Sequence, residues 1–200
     1  RINLHSLYSQ NKQGWFPWIY EQCKLKPGLR ILELGCGDGA LWTSNLSRIP
    51  EKVNIILSDQ SEGMLRDTRR AIGSEDSRFS FQAFDCQTIP HEDNSFDLVI
   101  ANHVLFYCED IDKVCQEVQR VLKPEGVFLC STYGSNHMKE INELVHEFDD
   151  RIVLSADKLY ERFGLENGSK LLEPYFSRVQ WKLYEDSLLV PDAEPLISYI

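Results

Sequence analysis

Three glycines at alternate positions, Gly35, Gly37 and Gly39, follow an apolar run that ends in an acid, Ile31-Leu32-Glu33-Leu34. Glycine belongs where backbone turns sharply or comes within contact distance of a ligand, because a Cβ would obstruct either. A strand running into such a loop and then into a helix opens a nucleotide-binding α/β sheet. The run also fits the Gly-x-Gly-x-x-Gly/Ala pattern of dinucleotide sites through Gly35, Gly37 and Ala40, so the loop alone does not name the nucleotide. Later apolar runs end in Asp59, Asp85 and Asn102, and Asp59 stands 20 residues past Gly39. A carboxylate such as Asp59 can accept both hydroxyls of a ribose diol, and one such as Asp85 can accept from an adenine amino group. The loop carries Asp38 and neither Lys nor Arg. Backbone amides alone can hold phosphate, but this loop is better matched to a ligand with ribose, adenine and a positive centre.

These residues need a sheet to bring them to one edge. Arg30–Leu34 reads as the first strand and Ala40–Arg48 as the helix after the loop. Val53–Ser58 is nearly continuous and rich in β-branched residues, as a strand buried on both faces is. Glu62–Ile72 has helical spacing, Phe79–Phe84 alternates as a third strand, and Phe96–Ala101 follows the polar turn 89–95 as a fourth. Ile111, Val114, Cys115, Val118, Val121 and Leu122 recur on one helical face. Lys123-Pro124-Glu125-Gly126 stops that helix, and Val127–Thr132 is the fifth strand. Alternation of this kind predicts a parallel, doubly wound sheet with right-handed crossovers. Arg178–Tyr184 and Ser187–Val190, joined by Glu185-Asp186, are expected to close it as an antiparallel hairpin, since so short a turn cannot join parallel strands.

The remaining segments form the surroundings. Residues 1–25 hold Leu4, Leu7 and Tyr8 in a short helical pattern, then a dense aromatic cluster around Pro17, which suits a first helical turn. Two readings stand for this part: a helix packed on the sheet edge, or a lid with Tyr8 and Trp15 facing a ligand. Residues 134–175 are helical in pattern, with Met138, Ile141, Leu144, Val145 and Phe148 on one face and shorter helices at Asp157–Phe163 and Ser169–Tyr175. The chain thus divides into a cap (1–25), a core (26–133), a helical segment (134–175) and a terminal stretch (176–200), all within one domain.

Composition bounds the function classes. Two hundred residues with 42% hydrophobic side chains suffice for one α/β core. The formal net charge of −10, without a Lys/Arg run, argues against nucleic acid, whose binding is dominated by phosphate neutralisation. An acidic field also suits a cationic ligand, or serves solubility alone. The chain lacks an apolar run near the roughly 20 residues that span a bilayer, and a signal-peptide pattern. It opens on Arg1 rather than Met and stops inside an apolar pattern at Ile200, as a segment trimmed from a longer protein would. Six cysteines without Cys-x-x-Cys or zinc spacing read as reduced, cytosolic usage, with no metal site expected.

Glu33-Leu34-Gly35-Cys36-Gly37-Asp38-Gly39 matches the Glu-x-Gly-x-Gly-x-Gly signature, and the chain resembles the class I S-adenosylmethionine-dependent methyltransferases. Asp59 with Met64, Asp85-Cys86, Phe96-Asp97-Leu98-Val99 and Leu122-Lys123-Pro124-Glu125-Gly126 extend the likeness over about residues 26–133. The overall look is of the small-molecule type 11 and ubiquinone-biosynthesis-like branch. The resemblance implies a Rossmann-like seven-stranded sheet, with the hairpin as its closing feature. It implies that Gly35, Gly37 and Gly39 admit the methionine moiety and that Glu33 supports the loop or the amino group. Asp59 would take the ribose hydroxyls beside Gln60 and Met64, Asp85 and the Cys86 backbone the adenine edge. Ala101 and Asn102 would offer carbonyls near the amino group.

The implied reaction is methyl transfer to a small molecule, leaving S-adenosylhomocysteine, and it rests mainly on positioning. A base is needed only where the nucleophile must lose a proton. His103, with Tyr107 about a turn further on, is the best-placed candidate, and a pocket-wall role stands beside it. Tyr133 and His137 are candidate acceptor contacts. The chain lacks Asn/Asp-Pro-Pro-Tyr/Phe after the fourth strand and a Pro-Cys pair, which favours a metabolite over a nucleic acid. A nicotinamide-dependent oxidoreductase and a catalytically silent binding module remain as other classes.

Overall fold

The computed structural model describes residues 4–73, 75–152 and 158–199. Its centre is a five-stranded, wholly parallel sheet in the order β3-β2-β1-β4-β5. The strands are β1 (Arg30–Leu34), β2 (Asn54–Asp59), β3 (Phe79–Ala83), β4 (Phe96–Asn102) and β5 (Leu122–Ser131). β1 sits between β2 and β4, so the order reverses beside it, and the loop after β1 opens at that switch point.

Alternation along β1 assigns its two faces. Leu32 and Leu34 join a core with Val99, Leu105, Phe106, Val114, Val118 and Phe163, which buries the apolar stripe of α5 (Ile111–Val121). Ile31 joins the opposite core with Ile19, Leu41, Trp42, Ile55, Leu57 and Leu65, under α2 (Trp15–Cys23), α3 (Ala40–Thr43) and α4 (Glu62–Ile72). Ser61 accepts from the Met64 amide as an N-cap, so α4 starts at Glu62. The cap carries α1 (Leu4–Tyr8) and α2, and the segment after β5 carries α6 (Lys139–Phe148), α7 (Leu159–Arg162) and α8 (Gly168–Leu172). The short helix expected from Asp157 begins at a residue outside the described ones. α9 (Ala193–Tyr199) ends the described chain.

Three expectations are corrected. The helix after the loop ends at Thr43 rather than Arg48. Buried Asn45 donates to the Leu41 carbonyl (2.8 Å), competing with the helix ladder, and a single 3-10 turn at Leu46–Arg48 follows. Lys123–Gly126 is not a break before β5 but an irregularity within it, where pairing steps from Phe96↔Leu122 to Leu98↔Val127. Pro124 has no N–H for the ladder, and Lys123 instead reaches Asp97 Oδ1 at 2.7 Å.

The third correction is the largest. Among the described residues the sheet has five strands, not seven, and the stretch 178–190 is no hairpin. Asp186, expected at its turn, instead accepts from Ser9 Oγ (2.7 Å) and the Asn11 amide (3.0 Å). A single antiparallel bridge joins Ser9 to Leu188, and Tyr184 lies against Trp15 and Trp18. The terminal stretch therefore fastens the cap.

One buried polar contact underlies the loop. Glu33 is 2% exposed, and Trp42 Nε1 donates to its Oε2 at 2.5 Å. Ser58 Oγ donates to the Glu33 carbonyl at 2.8 Å, so β1, β2 and α3 meet at this residue. Burial pushes the Glu33 carboxyl up to about 7, with Asp38 and Asp59 adding and the Trp42 bond opposing. A carboxyl raised above its unfolded value of roughly 4.3 binds more protons folded than unfolded between the two values. Its stability contribution is therefore full at low pH and is lost as pH rises towards 7. At about 1.4 kcal/mol per unit, the cost is on the order of 3 kcal/mol. Glu33→Gln keeps an acceptor for Trp42 without the charge. Urea unfolding from pH 4.5 to 7.5 is expected to show the variant gaining on the wild type by up to that amount. A constant difference between the two would refute the buried charge.

Candidate functional site

The carboxyl ends of β1 to β4 build the site from short, sharply defined pieces. Gly35, Gly37 and Gly39 have φ of 64°, 55° and 74°, the left-handed region that glycine tolerates. Their reasons differ. A Cβ at Gly35 would meet Val104 Cγ2 at 2.6 Å, and one at Gly39 would meet Thr68 Cγ2 at 2.5 Å. Those two glycines make room for the protein. Only Gly37 faces open space, with no atom within 4 Å of its Cβ position. A ligand laid against the loop would meet bare backbone there.

The loop is held from below. Gly37 N donates to Asp59 Oδ2 (3.1 Å), Thr68 Oγ1 donates to the Gly37 carbonyl (2.6 Å), and Cys36 N donates to the Ser58 carbonyl (2.8 Å). The Ser61 amide donates to the other Asp59 oxygen at 2.8 Å. A carboxylate has about four lone-pair positions, so Asp59 is oriented by two amides and keeps capacity for a diol. Gln60 and Met64 beside it are exposed. Asp85, after β3, accepts from the Gln87 amide (2.9 Å) and from Gln87 Nε2 (3.0 Å). These bonds, the amide's above all, hold its carboxyl below the usual carboxylate range, and Gln60 and Cys86 also contribute to it. Gln60, Asp85 and Cys86 thus stand together. Glu33 is spent on Trp42 beneath the loop.

After β4 the chain turns through a strained residue. His103 has φ of 57° in a non-glycine position, a conformation that clusters at functional sites. Its amide donates to Ser131 Oγ (3.0 Å), and that hydroxyl donates to Asn102 Oδ1 (2.6 Å). The Asn102 side chain therefore locks β4 to β5. The Ala101 side chain is buried in the sheet. The His103 ring is 5.1 Å from Trp15, 6.0 Å from Phe106 and 6.4 Å from Tyr133. Burial pulls its pKa down to about 4, and His137 and His5 add repulsion, so the ring is neutral at physiological pH.

Tyr107 lines the same cavity as His103 but at its exposed margin. It is 66% exposed, on the 3-10 turn Leu105–Tyr107, and touches Phe106 rather than His103. Phe106 takes the position beside the histidine because a 3-10 turn carries side chains differently from the α-helix assumed. Trp15, Tyr133 and His137 line the cavity beside the loop, together with Trp18, Phe106 and Tyr184. Tyr8 does not line it, and uses its carbonyl on the Leu189 amide. Phe106 and Tyr184 carried no sequence signal, whereas Trp18 lay within the aromatic cluster. Trp15 Nε1 is buried with no protein acceptor. Among the described residues there is no group of three or more metal-ligating side chains and no helix long and apolar enough to cross a membrane.

The edge is acidic: Asp38, Asp59 and Asp85 stand at or beside a loop without a basic residue. Together with the open face of Gly37, this suits a nucleoside carrying a positive centre and opposes a pyrophosphate.

Residues 32–130 match the Methyltransf_11 family, a methyltransferase domain. Among curated proteins, the malonyl-[acyl-carrier protein] O-methyltransferase of Methylovorus sp. (strain MP688) is 32% identical over 130 residues, covering 62% of this chain and 44% of that protein. The demethylmenaquinone methyltransferase of Lactobacillus johnsonii is 33% identical over 126 residues, covering 62% of this chain and 51% of its own. The chain thus spans about half the length of these relatives. Among solved structures, an S-adenosylmethionine-dependent methyltransferase from Mesorhizobium loti is 30% identical, with a TM-score of 0.51 over 61% of this chain and 55% of that one. A methyltransferase from Aquifex aeolicus, 16% identical, shares the fold with a TM-score of 0.61 over 80% and 78%. Across residues 32–130 the chain thus belongs to the Methyltransf_11 methyltransferase family, and it is similar there to S-adenosylmethionine-dependent enzymes.

Proposed function

We propose that this chain transfers a methyl group from S-adenosylmethionine to a small-molecule acceptor, as one domain working in the cytoplasm. The observation that carries the reading is the anionic strand edge around Gly37, where bare backbone faces open space. Six free cysteines accord with a reducing compartment.

The donor supplies a methyl group on a sulfonium whose thioether leaves readily. Asp59 accepts the ribose hydroxyls while its two amide bonds keep the carboxylate aimed. Asp85 and the Cys86 amide read the adenine edge, with Gln60 and Met64 flanking it. The carbonyls of Ala101 and Asn102 receive the amino group. The loop lets the methionine part approach the backbone at Gly37.

On the acceptor side the walls are Trp15, Phe106, Tyr133 and His103, with His137 at the rim. Aromatic faces favour a flat or apolar acceptor, and the unpartnered Trp15 Nε1–H suits an oxygen on it. A neutral His103 can take a proton, but a pKa near 4 makes it a weak base. It therefore suits a nucleophile that is already acidic, such as a carboxyl or an enol, and the walls' main contribution is orientation and exclusion of water.

Two outcomes test this. Asp59→Ala removes charge-assisted bonds worth about 1.5–3 kcal/mol each, so calorimetry with S-adenosylhomocysteine should show at least a roughly hundredfold loss of affinity; unchanged binding would remove Asp59 from the site. His103→Asn keeps a residue that tolerates positive φ. Turnover is expected to fall by about 10²-fold with donor affinity retained. Equal turnover of variant and wild type from pH 5 to 9 would leave His103 without a part in proton transfer.

A further inference from the structure

Cys86 and Cys108 lie far apart in sequence, yet their Sγ atoms are 3.4 Å apart. Cys86 follows Asp85 in the loop after β3, and Cys108 ends the 3-10 turn after β4. Neither belongs to a strand, so a small displacement of either loop brings the sulfurs to the roughly 2 Å of a covalent bond. The remaining four cysteines are placed differently. Burial pushes the thiols of Cys23, Cys115 and Cys130 up to about 12, and that of Cys36 higher still. Cys108 alone is shifted the other way, chiefly through the hydrogen bond it shares with Cys86. Cys86 is partly exposed, which gives a small oxidant access to the pair.

We propose that Cys86 and Cys108 form an oxidisable dithiol whose closure to a disulfide weakens donor binding. The oxidant is a peroxide. The Cys108 thiolate attacks one peroxide oxygen, the O–O bond breaks, and a sulfenic acid forms as hydroxide leaves and takes up a proton as water. The Cys86 thiol then attacks the sulfenic sulfur, the S–S bond forms, and the second oxygen leaves as water. In sum, two thiols and one hydrogen peroxide give one disulfide and two waters. The bond draws Cys86 towards the turn after β4, moving the backbone that also carries Asp85. Reduction by a free thiol reverses it. The effect on binding rests on the donor reading above, in which Asp85 and Cys86 meet the adenine edge.

The test treats reduced protein with dilute hydrogen peroxide and maps peptides without reductant. A link between the Cys86 and Cys108 peptides is expected, with S-adenosylhomocysteine affinity in calorimetry falling about tenfold or more and restored by dithiothreitol. Cys108→Ser should bind as the reduced wild type does and ignore peroxide. If that variant is unstable, mapping and calorimetry on the wild type decide. Absence of the 86–108 link, or a link that leaves affinity unchanged, overturns the proposal. A reduced wild type that does not bind S-adenosylhomocysteine is a different failure: it overturns the proposed function, and the switch falls with it.

Discussion

The buried hydrogen bond from Trp42 to Glu33 is the contact on which the site depends. A carboxyl at that depth is costly to bury unless it is bonded, and its position at the end of β1 fixes where the glycine loop begins. Ser58 ties the same residue to β2, and Asp59, the next residue, holds the Gly37 amide. Brace and binding group are thus consecutive in one chain of contacts. Asp59 serves both the loop's shape and, in the proposed function, the ribose, which makes its orientation independent of whether a ligand is present.

The same edge separates two chemistries. On the loop side, carboxylates and backbone groups meet a polar, cationic ligand. On the far side of His103 the walls are rings, with Trp15, Trp18 and Tyr184 from the two ends of the chain converging on the residue after β4. The cap is therefore not only a cover for the sheet edge. Its seat is built by Asp186, whose side chain gathers Ser9 and Asn11.

Local pattern made most of the parallel sheet legible. Strands two to four and α4 are continuous or periodic over enough residues for burial to dominate, and the helix at Glu62–Ile72 matches the expectation at both ends. The strand ends Asp59, Asp85 and Asn102 were readable because a parallel sheet puts every carboxyl end on one edge. What could not be read depends on partners distant in sequence. A Cβ at Gly35 or Gly39 would run into Val104 or Thr68, and nothing in the motif distinguishes these two from Gly37, where the space is open. The terminal stretch alternates like a strand, but Asp186 had a use elsewhere. Spacing of the α-helical kind from His103 points to Tyr107, but the turn is tighter and brings Phe106 beside the ring instead.

Among the described residues β5 is bonded to β4 alone, and its outer edge carries Val127 at 56% exposure. Trp181, Leu183 and Leu189 are also exposed on the terminal stretch. An open edge of extended backbone is a template on which another strand can lie. The formal charge of −10 supplies the repulsion that keeps copies apart at neutral pH. That protection vanishes near the isoelectric point of about 5.0. The open edge and the exposed apolar side chains near it make mild acid the range in which self-association through this edge is expected.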